Sequence, residues 1–173
     1  MIECRAIIKD VLEARKVVES LGGNFLSNYA FKDIIFVPSV GDFNLTDDFV
    51  RVRVYSKTNW PTKNVIVVRK QTKFVEGGKV SDVVLKKEFD TEEEALSFLE
   101  KNVSGFEKGF EYSREGWQYE LNGLKIFIED VEGFKPSVEV ISKDEKSLEE
   151  IFSKLNVLER CNESLPELIK KKN

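Results

Sequence analysis

The sequence predicts an α+β fold built on an antiparallel sheet large enough to curl or close. Several segments alternate polar and apolar residues with a period of two. Three others repeat apolar residues at helical spacing behind a capping signal. The strand-like segments are joined mostly by short turn signals rather than by long crossovers. The 173 residues suit a single domain, 1–173, with a core of its own.

Met1 to Ile8 places Met1, Glu3, Arg5 and Ile7 on one strand face and Ile2, Cys4, Ala6 and Ile8 on the other. Asp10 and Glu13 read as a capping box ahead of Val11, Ala14, Val18 and Leu21, and Gly22-Gly23 stops this helix near residue 21. Strands are expected near 30–37, 49–55, 64–72 and 81–90, with turns at Asp47-Asp48, Asn59-Trp60-Pro61 and Glu76-Gly77-Gly78-Lys79. Thr91 and Glu94 cap a second helix whose buried stripe is Ala95, Leu96, Phe98 and Leu99. Asn122-Gly123 suits the positive backbone angles of a hairpin turn within 119–126, and strands follow near 124–131 and 137–141. Ser142 and Glu145 are expected to cap a third helix carrying Leu148, Ile151, Phe152 and Leu155, with a short helix over 165–172.

Composition removes whole chemistries. The chain has no His, which excludes Ser-His and Cys-His catalysis and imidazole metal ligands. Its two Cys, Cys4 and Cys161, cannot build a four-thiolate zinc site and read as reduced thiols. With 27 Lys and Arg against 31 Asp and Glu, the net charge of -4 favours neither nucleic acid nor an anionic membrane. No apolar run reaches the length of a membrane span and no signal-peptide pattern opens the chain, so a cytoplasmic location is expected. Gly77-Gly78-Lys79 lacks P-loop spacing and reads as a turn. Trp60 and Trp117 read as packing residues, and Lys170-Lys171-Lys172 as a solvated helix end.

The distribution of charge is more informative. Phe49 to Val54 sets Arg51 and Arg53 on one face and three valines on the other. Leu85 to Asp90 groups Lys86, Glu88 and Asp90 opposite Leu85 and Phe89, while Lys70 shares a face with Ile66 and Val68. The apolar faces require helices against them. The charged faces then look toward water or, if the sheet closes, toward one another. A closed sheet would enclose Arg5, Arg51, Arg53, Lys70, Lys86 and Arg114 with Glu3, Glu88, Asp90, Glu129 and Glu139. Such a set cannot form a dry core, but it can line a hydrated channel for a polyanion, and planar guanidinium forks suit phosphate.

Taken in order, Met1-Ile2-Glu3-Cys4-Arg5, Phe49-Val50-Arg51-Val52-Arg53, Val67-Val68-Arg69-Lys70, Lys86-Lys87-Glu88-Phe89-Asp90, Ile128-Glu129-Asp130-Val131-Glu132-Gly133-Phe134 and Val138-Glu139-Val140 resemble the CYTH superfamily, the triphosphate tunnel metalloenzymes. This superfamily includes class IV adenylyl cyclases, thiamine triphosphatases and tripolyphosphatases. The tail Glu163-Ser164-Leu165-Pro166-Glu167-Leu168 is similar to its closing Ser-Tyr-x-x-Leu segment, with Leu in place of Tyr. The resemblance implies an antiparallel β-barrel with helices packed outside and a tunnel that holds a triphosphate. By the same resemblance, Arg5, Arg51, Arg53, Lys70, Lys86 and Arg114 would bind phosphate, with Arg5, Lys70 and Lys86 serving catalysis. Glu3, Glu129 and Glu139 would hold Mg²⁺ or Mn²⁺, with Glu88 and Asp90 as further ligands or lysine partners.

The chain departs from that pattern at several positions. The family's opening Glu-x-Glu-x-Lys is Met1-x-Glu3-x-Arg5 here, its later Glu-x-Glu is Glu139-x-Ile141, and a Lys-x-Arg pair is Tyr112-x-Arg114. The expected function is metal-dependent hydrolysis of a triphosphate or nucleotide, ahead of cyclisation, which also needs nucleoside positioning. The alternative is a catalytically eroded protein that binds nucleotide or inorganic polyphosphate. A third reading is an interaction domain with a solvated sheet. Neither a nucleic-acid nor a membrane partner is expected, and a homodimer is left open.

Overall fold

The computed structural model describes residues 1–60 and 63–172, so Pro61 of the expected 59–61 turn lies outside the described residues. The elements are β1 (Ile2–Ile7), α1 (Val11–Ser20), β2 (Asn24–Pro38), β3 (Asp48–Lys57), β4 (Val65–Val75), β5 (Gly78–Phe89), α2 (Glu92–Asn102), β6 (Phe106–Leu121), β7 (Leu124–Val131), β8 (Ser137–Ser142), α3 (Glu145–Leu155), β9 (Glu159–Cys161) and α4 (Leu165–Lys172). The strands follow the order β5-β4-β3-β2-β6-β7-β8-β1-β9, with an additional antiparallel β5–β1 pairing. That pairing joins the two ends of an eight-strand order, so the fold is an antiparallel barrel with β9 added beside β1. Among the described residues, no helix is long and apolar enough to cross a membrane.

The chain forms two units. The first comprises Met1–Tyr29, Lys73–Val80 and Arg114–Asn162. Its core joins Cys4 and Ala6 on the apolar face of β1, and Ile8 just after it, to Ile126, Ile128, Val138 and Val140 on β7 and β8. Ala14 and Val18 from α1 and Leu148, Ile151, Phe152 and Leu155 from α3 complete it, which is the helix cover the periodicity predicts. Asp10 caps α1 by accepting from the Glu13 amide. Asp144 caps α3 by accepting from Ser147, so the expected Ser142 cap is corrected: Ser142 donates instead to the Asp144 carbonyl, within the turn ahead of the helix.

The second unit comprises Ala30–Thr72, Ser81–Ser113 and Glu163–Asn173. Val50 and Val52 of β3 meet Ile34, Val65 and Val67, and Ala95 and Leu99 of α2 cover them. Thr91 caps α2 through the Glu94 amide. The closing segment is anchored here: the Ser164 amide donates to Thr46 Oγ1 at 2.8 Å, Ser164 Oγ donates to the Leu45 carbonyl, and Glu167 accepts from the Leu45 amide.

Two strands depart furthest from the sequence expectation. β2 begins at Asn24, where exposed Phe25 and Leu26 beside buried Ser27 break the alternation. β6 runs back to Phe106 through Gly109 and Gly116, residues that weaken any strand signal. Both glycines mark close approaches. A Cβ on Gly109 would lie 2.8 Å from Val37 Cγ1, and one on Gly116 would strike the ring of Tyr29. Tyr29 is buried and packs edge-on against Phe127. Gly116→Ala is therefore expected to destabilise the fold by about 1–3 kcal/mol, the usual cost of overpacking. A urea melt measures this, and an unshifted midpoint would show that the ring has another position.

Candidate functional site

The six candidate cations fall into two groups, Arg5 and Arg114 in the first unit and Arg51, Arg53, Lys70 and Lys86 in the second. In the first unit, strand register brings the charges together. Arg5 stands opposite Glu139 in the β1–β8 ladder, while Glu129 lies between Ser137 on β8 and Gly116 on β6. Arg5 is only 2% exposed. One of its terminal nitrogens donates to Glu129 Oε2 and to Ser137 Oγ, both at 2.8 Å, and the other donates to Glu139 Oε2 at 2.7 Å. Arg114 donates to both Glu129 oxygens, at 3.1 and 3.0 Å. Tyr29 completes the set by donating to Glu129 Oε1 at 2.7 Å, its ring lying where Gly116 has no side chain.

Burial works against the charge of Glu129, but the Arg114 and Arg5 guanidiniums outweigh it and hold the carboxyl below the usual carboxylate range. Burial likewise opposes the charge of Arg5, and Glu139 and Glu129 overcome it, keeping the guanidinium cationic. The Tyr29 hydroxyl is pushed well above its ordinary value, by burial first and then by the Glu129 charge. Two guanidiniums and two carboxylates thus balance in charge within one hydrogen-bonded network.

This arrangement does not fit the expected metal role. A carboxylate offers about four lone-pair sites, and donors from Arg5, Arg114 and Tyr29 account for those of Glu129. Glu3 is half-buried on β1, opposite Ile141 and Lys79. Among the described residues, no three acidic or thiol side chains form a group able to hold a metal ion. Asp90 follows the end of β5, is exposed and pairs with Lys63 at 3.1 Å, and Glu88 is exposed on β5.

The second unit holds a different arrangement. Arg51, Arg53, Tyr55, Ile66, Val68, Lys70, Val83 and Lys86 line a cavity of about 200 Å³, so the expected faces of β3 and β4 are confirmed. The sequence reading missed the residue that organises it. Asp33 on β2 stands opposite Arg53, is fully buried, and accepts from Arg53 Nε at 2.7 Å and from a terminal nitrogen at 2.8 Å. Arg51 approaches the same carboxylate at 3.9 Å. The Arg53 guanidinium also lies 3.7 Å from the centre of the Phe31 ring, which packs edge-on against Tyr55. An acid set directly before the apolar run Ile34 to Val37 was the available signal for Asp33; Tyr29 and Ser137 offered none without the register.

Because Glu129 ionises more readily in the folded chain than in the unfolded one, its contribution is complete above the ordinary carboxylate range. That contribution is lost as pH falls through the lowered folded value. Glu129→Gln is expected to lose about 3–5 kcal/mol at neutral pH, since it leaves guanidiniums buried without their counter-charge. It should also flatten the acid limb of the stability profile. Denaturant melts across the acid range measure both effects, and parallel profiles for parent and variant would contradict the assignment.

No protein-family model and no curated protein matches the chain. Solved structures do. A Pyrococcus horikoshii protein, PH1819, is 21% identical with a TM-score of 0.79, the match covering 99% of each chain. The Hippeastrum protein HpAC1, a candidate adenylyl cyclase described as having a dominant triphosphatase activity, is 17% identical with a TM-score of 0.71 over 98% of this chain and 95% of its own. A candidate adenylate cyclase from Vibrio parahaemolyticus is 14% identical with a TM-score of 0.71 over 98% and 97%. Strand order, barrel closure and these likenesses together show that the chain shares its fold, a closed antiparallel β-barrel, with these candidate adenylate cyclases.

Proposed function

We propose that the chain binds the triphosphate group of a small organic phosphate at the Arg51, Arg53, Lys70 and Lys86 cavity of the second unit. One observation carries this reading: the eight lining residues include four cations and no acid. Guanidinium forks recognise phosphate oxygens with direction as well as charge. Asp33 and Phe31 fix the plane of Arg53 before any ligand arrives, which reduces the ordering cost of binding. Tyr55, Ile66, Val68 and Val83 supply an apolar wall, which suits a nucleotide or another organic triphosphate better than bare polyphosphate. The two cysteines are buried free thiols, which fits a reducing, cytoplasmic setting.

Hydrolysis of the bound triphosphate is the second reading, supported by the shared fold of the Hippeastrum protein and its described triphosphatase activity. Cationic side chains can neutralise the transferred group and align it with an attacking water. Cyclisation would need the nucleoside held as well, so hydrolysis ranks ahead of it.

Arg51→Ala is the cleaner test of binding, because Asp33 keeps both bonds from Arg53 and the fold should survive. It is expected to weaken tripolyphosphate and ATP binding by about 1.5–3 kcal/mol, the range for hydrogen bonds to charged groups. Calorimetry measures this, and unchanged affinity would remove the phosphate assignment. For the second reading, phosphate should be released from tripolyphosphate, ATP or thiamine triphosphate in Mg²⁺ or Mn²⁺ buffer. Binding without release in all three would leave the chain a triphosphate-binding protein only.

A further inference from the structure

We propose that the Arg5 guanidinium is the resident cation of the Glu129 and Glu139 cluster, standing where a divalent metal would otherwise be held. The cluster's carboxylates are therefore not metal ligands in this chain. The placement is set by the backbone, since Arg5 is the direct cross-strand partner of Glu139 and lies on a strand buried against β8. Its planar fork reaches three acceptors on two strands, Glu129, Ser137 and Glu139, at 2.7–2.8 Å.

Charge and coordination both argue against a metal at this place. The two carboxylates are already balanced by Arg5 and Arg114, so an entering dication would meet two fixed positive charges. A hard divalent cation requires a shell of oxygens at roughly 2.0–2.6 Å. Glu129 could join such a shell only by releasing arginine donors that hold a buried charge. Of the neighbouring positions on this face, Ile141 offers no oxygen ligand, and Glu3, which lies opposite it on β1, also stands opposite Lys79. In combination with the binding reading above, this assigns phosphate charge in this chain to side chains rather than to a metal on this cluster.

The direct test is titration of the full chain with Mn²⁺ alone, followed by electron paramagnetic resonance of the free ion. It involves no phosphate and so is judged separately from the binding reading. The parent should show no Mn²⁺ affinity that Glu139→Gln reduces. Arg5→Met, which removes the charge but keeps an apolar side chain of similar length, should raise Mn²⁺ affinity by roughly 10- to 100-fold, the scale on which metal affinity responds to groups around the ligands. Adding Glu139→Gln to Arg5→Met should reverse that gain. Tight Mn²⁺ binding by the parent that Glu139→Gln abolishes would overturn the proposal. So would a folded Arg5→Met variant with no gain. If Arg5→Met does not fold, the comparison of parent with Glu139→Gln decides the matter.

Discussion

A guanidinium withdrawn from water as fully as that of Arg5 persists only where carboxylates surround it, and the first unit is organised around meeting that requirement. Arg5 ties β1 to β7 and β8 on the face opposite the apolar core, so one side of the same three strands is held by packing and the other by ion pairs. Neither side is optional. The core face needs α1 and α3 over it, and the charged face needs its members in register, because a one-residue slip would exchange the two faces.

The second unit resolves the same alternation differently. Its apolar face is covered by α2, but its charged face carries four cations around a cavity and one deeply buried acid, Asp33, which holds Arg53 in place. The contrast separates two uses of arginine. Arg5 and Arg114 are balanced in charge by the buried Glu129 and by Glu139, whereas Arg51 and Arg53 line a cavity together with two lysines. The fold supports either outcome, so assignment of function has to rest on these side chains and not on the barrel.

Much of the fold was legible in the sequence because it depends on local periodicity. The two faces of β1, the valine and arginine faces of β3, and the stripes of α1, α2 and α3 all follow from spacing alone. The cavity's four cations were legible for the same reason. Asp33, Tyr29 and Ser137 were not, since their importance comes from which residue lies across the ladder. The surroundings of Glu129 illustrate the same limit. A carboxylate on a charged face suits a cation of any kind, and only the register reveals that Arg5 lies within hydrogen-bond reach of it. The long β6 was obscured because Gly109 and Gly116 depress strand signal at the places where other residues press closest.

The bare position at Gly116 has an electrostatic effect despite carrying no charge. By leaving room for the Tyr29 ring, it admits a hydroxyl to the deepest carboxylate of the first unit. A missing methyl group thereby sets part of an acid's proton affinity, and the two positions are sterically one unit. A side chain gained at 116 and a ring kept at 29 are incompatible, so in any lineage of this fold the two are expected to change together, with the ionisation of Glu129 following the pair.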